Sequence, residues 1–211
     1  RSPSRGLGDV YKRQEVKTSK AKKMMLWFGL ISITMTFAGL TSAFIVSSSR
    51  PDWLDSFVLP VWFTISTVSI ALSSVFFQLA KYRLDQYVRV SLPENINIYL
   101  HRNNVNLFLG LTILMAIVFI IAQFLGFGDI ISRGYYFTGP ESSITTSYIY
   151  VLVFLHLAHL LAGIIVLTVV TAKFNRQKYE KNKLGFEMAL IFWLFLGALW
   201  IYLFFFIKYF S

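Results

Sequence analysis

The chain has 211 residues, of which 56% are hydrophobic and 14% are charged, and its formal net charge is +10. A soluble domain of this length could not cover so many apolar side chains with polar surface, so lipid must be the solvent for much of the chain. The positive charge does not indicate a nucleic-acid groove, because the cations avoid the apolar segments and gather in short connections. Cysteine is absent, which excludes disulfides, thiolate metal sites and cysteine nucleophiles.

The first 23 residues are polar and basic, and we expect them to form a disordered leader before a single membrane domain at residues 24–211. Residues 4–14 read SRGLGDVYKRQ, which resembles the in-frame translation of a sequencing-library adapter. We therefore interpret residues 4–14 as an assembly artefact, with a natural basic leader as the alternative. Neither interpretation gives the segment a function, and such segments are set aside in fold arguments.

Five long apolar stretches follow, and they predict an all-α bundle of five transmembrane helices. Each stretch has at least the ~20 residues that cross a ~30 Å hydrocarbon core at about 1.5 Å per residue. Because lipid offers the backbone no hydrogen bonds, such stretches must be helical, and they lack the every-second-residue alternation of barrel strands. The predicted helices lie at about residues 24–47, 57–80, 105–126, 146–172 and 187–209.

The distribution of Lys and Arg predicts the orientation of the bundle. Beyond the first 14 residues, thirteen cations precede helix 1 or follow helices 2 and 4, and three lie on the other side. Cytoplasmic connections are the ones enriched in Lys and Arg, so we expect a cytoplasmic N-terminus and a periplasmic C-terminus. The thirteen are Lys17, Lys20, Lys22, Lys23, Lys81, Arg83, Arg89, Arg102, Lys173, Arg176, Lys178, Lys181 and Lys183, and the three are Arg50, Arg133 and Lys208.

Polar groups at membrane depth are the first candidates for a functional site, because lipid makes them costly. His156 and His159 lie well inside predicted helix 4 and, being three residues apart, share one helical face. Gln123 lies near the end of predicted helix 3, and Glu187 opens predicted helix 5, where the helix dipole stabilises a carboxylate. We interpret these four residues as candidates for helix packing or lipid contact. We predict no catalytic, metal-binding or cofactor-binding residue.

Two chemical roles for the histidine pair have weaker support. Haem or metal ligation in a bundle requires ligands from facing helices, and the third histidine, His101, lies in a predicted cytoplasmic connection. A proton relay would need an intramembrane carboxylate as a partner, and the sequence places none there. We therefore expect His156 and His159 to make interhelical hydrogen bonds, which contribute about 0.6–2 kcal/mol each in membranes.

Pairs of small residues four positions apart allow two helices to approach closely. Three such pairs lie in the predicted helices: Gly39 with Ala43, Ser69 with Ser73, and Ala158 with Ala162. They favour a packed bundle and say nothing about chemistry.

Several short motifs resemble those of one known family. Residues 147–150 read SYIY, and His156-Leu-Ala-His159 with Gly163 follows. This run is similar to the S-F-x-Y, H-G-L-H and glycine of subunit III of the haem–copper cytochrome oxidases, in its five-helix bacterial form. The resemblance runs from about residue 24 to residue 210. Further similar positions are residues 37–44 (FAGLTSAF), residues 59–62 (LPVW), Thr64, Ser73, Ser74, Gln123, Glu187, Trp193, Phe195 and Trp200.

The resemblance breaks at the ionisable groups of the family. The membrane-embedded glutamate of the family falls on Ile33, and its helix-5 histidine and aspartate fall on Leu194 and Gly197. A role in collecting or buffering protons, which the family's glutamate would imply, is therefore not expected here. We interpret the chain as a divergent branch that keeps the scaffold without these groups.

The resemblance implies an accessory role in a respiratory complex of the bacterial cytoplasmic (inner) membrane. In the family, subunit III binds no haem or copper, packs against the oxygen-reducing subunit I and holds ordered phospholipid. We therefore expect subunit I as a direct partner, subunit II and other respiratory subunits as further partners, and bound phospholipid. Haem and copper are expected in the partner subunits and not in this chain. The electron donor of the complex, cytochrome c or quinol, stays open.

Two other functions remain as alternatives. A haem-binding membrane electron carrier would use His156 and His159 as ligands. A small membrane transporter would show internal repeats, broken helices and intramembrane polar sites, and five continuous helices without an evident repeat argue against it.

Overall fold

The structure, a computed structural model, describes residues 3–50, 53, 58–90, 98–137, 144–176 and 183–210. For residues 3–13, 15, 87–90 and 98–102 it describes the backbone alone. Within these ranges the chain forms five α-helices and no strand. The helices are α1 (Pro3–Ser47), α2 (Val61–Val90), α3 (Ile98–Ser132), α4 (Ile144–Asn175) and α5 (Leu184–Phe210).

All five helices contain a segment long and apolar enough to cross a membrane. The shortest helix, α5, has 27 residues and is therefore about 40 Å long at 1.5 Å per residue, which exceeds the ~30 Å thickness of the hydrocarbon core. The chain is thus a multi-pass membrane protein, and the prediction of an all-α fold with five transmembrane helices is confirmed for the described residues.

Several helix boundaries differ from the predicted ones. Helix α2 ends at Val90 rather than at residue 80, and α3 covers Ile98–Ser132 rather than residues 105–126. Helix α1 begins at Pro3, so the backbone of residues 3–23 is helical where the sequence led us to expect a disordered leader. No Gly or Pro interrupts the chain between Gly8 and Gly29, and Lys, Gln, Glu and Ala in this stretch favour a helix. Helix α2 begins at Val61 rather than at residue 57, directly after Pro60, whose carbonyl oxygen accepts a hydrogen bond from the Phe63 amide (3.1 Å). The interpretation of residues 4–14 as an artefact stays a prediction.

Helices α2 to α5 form a closed ring, in which α2 contacts α3 and α5, and α4 contacts α3 and α5. Helix α1 lies outside this ring and packs in the groove between α4 and α5. It enters the groove through Leu30, Phe37 and Phe44, which are spaced by seven residues and buried. This spacing places all three side chains on one narrow face of the helix.

Close contacts between helices differ from those predicted from small residues. Ser69 and Ser73 are buried on α2, as expected, but Gly39, Ala158 and Ala162 are exposed. On α1, the stripe of Leu30, Phe37 and Phe44 faces the groove, so Gly39, two residues after Phe37, lies on the opposite side of the helix. The two predicted pairs on α1 and α4 are therefore wrong as contact points.

Two other glycines mark places where α5 meets a neighbouring helix closely. A Cβ atom at Gly163 would lie 2.8 Å from the Cδ1 atom of Leu196, so α4 approaches α5 there. A Cβ atom at Gly197 would lie 2.8 Å from the Oγ atom of Ser74, so α5 approaches α2 there. Distances below 3.0 Å require a neighbour to move. Both glycines therefore allow the ring of four helices to close.

Candidate functional site

Helix α4 carries both candidate histidines on the face that it turns towards the bundle. His156 is completely buried, whereas His159, three residues later, is half-buried. The buried stripe of α4 also contains Val153, Leu160 and Gly163. Because the two residues are three positions apart, the His156 imidazole lies at the centre of the bundle and the His159 imidazole lies at the border of the α1 groove.

The His156 ring lies among aromatic rings from three other helices. The distances from its ring centroid are 6.5 Å to Phe37 of α1, 6.0 Å to Phe119 of α3 and 5.1 Å to Trp200 of α5. Neither ring nitrogen has a hydrogen-bond partner among the described residues. His156 is therefore the point at which four helices converge, and it makes contact with them through rings.

His159 forms its hydrogen bond within its own helix. Its Nδ1 atom lies 2.7 Å from the carbonyl oxygen of Leu155, which can only accept, so Nδ1 is the protonated nitrogen. Its ring also packs edge-on against Phe37 at 5.8 Å. The prediction that the histidine pair makes interhelical hydrogen bonds is therefore wrong for both residues within the described part of the chain. The pair joins α4 to α1 by aromatic packing instead.

Gln123 joins α3 to α2. It is completely buried, and its Nε2 atom donates a hydrogen bond to Ser66 Oγ at 2.8 Å. Ser66 in turn donates its only proton to the carbonyl oxygen of Phe63, also at 2.8 Å. Because Ser66 can then only accept from Gln123, the amide nitrogen of Gln123 must point towards it.

Two tryptophans of α5 make further interhelical hydrogen bonds that sequence reasoning missed. Trp193 Nε1 donates to Ser73 Oγ at 3.2 Å, and Trp200 Nε1 donates to Thr67 Oγ1 at 3.0 Å. Ser73 itself donates to the carbonyl oxygen of Thr112 on α3 at 2.9 Å. A usable signal was present in the sequence, because a buried indole N–H usually finds an acceptor and α2 offers hydroxyls at regular intervals. The sequence does not say which hydroxyl meets which indole.

Glu187 lies in the first turn of α5, as predicted, and is part of an ion pair. Its Oε2 atom lies 3.3 Å from Lys23 Nζ on α1, and both side chains are partly exposed. One residue before α5, Lys183 Nζ lies 2.7 Å from Asp85 Oδ1 on α2. We call this region the basic end of the bundle. These two ion pairs connect α5 to α1 and α2 there.

The three positions at which this chain lacks the ionisable residues of the resembled family make ordinary packing contacts. Ile33 on α1 and Leu194 on α5 are half-buried and pack against the hydrophobic core. Gly197 lies at the close approach to Ser74 and has no room for a larger side chain without a shift of that neighbour. The local geometry at these three positions therefore suits apolar or small residues.

The buried hydrogen bonds and ring contacts described above can fix the positions of the five helices relative to one another. Among the residues that the structure describes, no three His, Asp or Glu side chains come together as a metal site would require. His101 lies among the residues whose side chains are not described. No family model matches the chain, and no curated protein matches it significantly.

Proposed function

We propose that the chain is a non-catalytic membrane subunit of a bacterial haem–copper terminal oxidase, the counterpart of subunit III. One observation carries this proposal: the buried amide and indole groups are used to fix helix packing. Gln123, Trp193 and Trp200 each donate a hydrogen bond to a hydroxyl on α2. Such a use of polar groups is what a scaffold requires, and it agrees with the motif similarity around His156.

The proposal assigns the redox chemistry to other chains of the complex. Subunit I would be the direct partner and would carry the haem and copper, with subunit II and phospholipid also bound. The chain would lie in the inner membrane with the basic end, where Lys23 and Lys183 lie, on the cytoplasmic side. The excess of cations on that side supports this orientation.

A co-purification experiment tests this proposal. The chain, with an affinity tag after Ser211, is recovered from membranes of aerobically grown source cells in a mild detergent. We expect subunit I in the eluate, identified by mass spectrometry and by a haem absorption spectrum that follows it in gel filtration. In intact spheroplasts the same tag should be accessible to external antibody. An equally tagged unrelated multi-pass protein serves as the control. Recovery without any oxidase subunit would refute the assignment, and an inaccessible tag would refute the orientation.

A haem-binding electron carrier is the second candidate, because His156 has two ring nitrogens without a hydrogen-bond partner among the described residues. Haem ligation would require the rings of Phe37, Phe119 and Trp200 to move away from it. The spectrum decides between the candidates. A stoichiometric Soret band that stays with the chain after removal of every partner subunit supports the carrier.

A further inference from the structure

Three buried polar atoms in the middle of the bundle have no hydrogen-bond partner among the described residues. They are Gln123 Oε1 and the two ring nitrogens of His156. Both side chains have no exposed surface. A buried polar group that stays unpaired destabilises the folded state, so a stable fold is expected to satisfy most of these atoms. A fourth such atom, Asn106 Oδ1, lies 17 positions before Gln123 on α3 and hence about 25 Å away along the helix.

Gln123 and His156 are connected through Trp200. The Gln123 amide bonds to Ser66, and the next residue, Thr67, accepts the indole proton of Trp200. The Trp200 ring centroid is in turn 5.1 Å from that of His156. The two side chains thus flank one interhelical contact, although they belong to α3 and α4.

Phe119 gives a second, independent connection between them. It precedes Gln123 by four residues on α3, so the two side chains are neighbours on one face of that helix. The centroid of its ring lies 6.0 Å from the His156 ring and 5.1 Å from the Trp200 ring. The Gln123 side chain and the His156 ring are therefore both neighbours of Phe119, in a region of the core that also contains Trp200.

The unpaired atoms in this region need hydrogen-bond donors. Gln123 Oε1 can only accept. A neutral imidazole has one N–H and one acceptor nitrogen, and an aromatic ring face can receive the N–H weakly. The aromatic rings around His156 can receive its N–H in this way. They cannot donate to its acceptor nitrogen, because Phe37 and Phe119 have no polar hydrogen and the indole N–H of Trp200 is already bonded to Thr67. Two acceptors are thus left without a donor.

We propose that a water molecule binds in this region and donates one hydrogen bond to Gln123 Oε1 and one to the unprotonated ring nitrogen of His156. Water is the small neutral molecule that carries two O–H donors, and buried waters of this kind satisfy otherwise unpaired polar groups in many proteins. In this arrangement the ring nitrogen of His156 that faces the water is the unprotonated one. It is independent of the proposed function, because a scaffold or a transporter with this core would equally require it.

The histidines make the site accessible to solid-state NMR, since the chain contains only three of them. The full chain, labelled with ¹⁵N-histidine, is measured in lipid nanodiscs, and His156 is assigned by its loss in His156→Phe. We expect a neutral His156 with magnetisation transfer from water to its acceptor nitrogen. The transfer should be lost in Gln123→Leu. It should persist in Asn106→Leu, the matched control, which removes an unpaired buried acceptor elsewhere on α3.

Three outcomes would overturn the proposal. The first is a direct contact between the His156 N–H and the Gln123 carbonyl without water transfer, which means that the side chains bond to each other. The second is no water transfer at all to His156 in the unmodified chain. The third is water transfer that persists in Gln123→Leu, which means that the water does not bridge the two residues. The first two are decided on the unmodified protein, so they do not depend on whether a variant folds.

Discussion

Helices α5 and α1 are both apolar enough to span a membrane, yet the protein holds them differently. In α5, 56% of the most apolar segment is buried inside the protein, whereas in α1 the share is 22%. Helix α5 contacts α1, α2 and α4, and α1 contacts α4 and α5. Apolar character therefore does not decide which helix becomes central, because in lipid an apolar face is equally well solvated by acyl chains.

The difference between the two helices lies mainly in aromatic packing. Apart from ion pairs, the described residues of α5 make three hydrogen bonds to side chains on other helices: Trp193 and Trp200 bond to α2, and Tyr202 donates to Thr41 of α1. Helix α1 makes two, the one with Tyr202 and one between Ser47 and Tyr148 of α4. However, α5 buries both indoles completely, whereas α1 buries only its narrow stripe. The comparison suggests that the ring of four helices can persist when α1 is loosened. Substitutions in the two helices test this.

The largest effect is expected for Trp200→Ala. Its ring stacks on Phe63 at 6.2 Å, meets Phe119 edge-on at 5.1 Å and bonds to Thr67. Removing it leaves a cavity that lipid cannot enter, so we expect the free energy of unfolding to fall by about 3–5 kcal/mol. SDS titration followed by circular dichroism measures this. Tyr209→Ala on the same helix, 83% exposed, is the control and should change little; equal effects of the two variants would contradict the central role of α5.

A smaller and more local effect is expected for Phe44→Ala. The Phe44 ring lies 4.8 Å from Trp53, 5.3 Å from Phe206 and 5.8 Å from Tyr148, so it holds the end of α1 in the groove. Phe44 itself is buried, but its neighbours Ile45 and Val46 on this outer helix are exposed. Acyl chains can therefore fill part of the space that the ring leaves, and we expect a loss of about 2–3 kcal/mol, at or below the lower end of the usual range for a buried Phe.

Spin-label distances reveal whether this loss is confined to α1. The natural chain has no cysteine, so Val46→Cys on α1 and Tyr209→Cys on α5 can be labelled alone. In the Phe44→Ala background their distance distribution should broaden. The control pair, Val61→Cys on α2 with Tyr209→Cys, should stay narrow. Broadening of both pairs would mean that α1 is required for the ring of four helices.

The smallest effect is expected from Glu187→Gln. The ion pair between Glu187 and Lys23 joins α5 to α1, but its side chains are 37% and 48% exposed. Pairs of this kind contribute about 0–1 kcal/mol and weaken with salt. We expect an unfolding free energy within that margin of the unmodified chain in SDS titration, with the difference vanishing at high ionic strength. A loss as large as that of Phe44→Ala would show that the ion pair, not the aromatic stripe, anchors α1.

For the candidate site, the sequence predicted the positions of several residues but not the partners that they contact. The burial of Gln123 and the place of Glu187 in the first turn of α5 follow from their positions in the apolar stretches. The sequence does not predict that Ser66 is the partner of Gln123, because α2 offers several hydroxyl groups of the same chemistry. The assignment of interhelical hydrogen bonds to the histidines failed because the Leu155 carbonyl lies within reach of His159 on the same helix.

The sequence by itself determined the number of helices and the apolar segment in each, because length and apolarity are enough to require a helix in lipid. It did not determine which face of each helix turns inwards. In water, a polar face marks the outside of a helix, but a helix in lipid is apolar all round, so that signal is missing. The face that each helix turns inwards is instead set by how the shapes of its side chains fit those of the neighbouring helices. Only the tertiary structure placed Phe37, Phe119 and Trp200 around His156, because side chains from four helices pack together there.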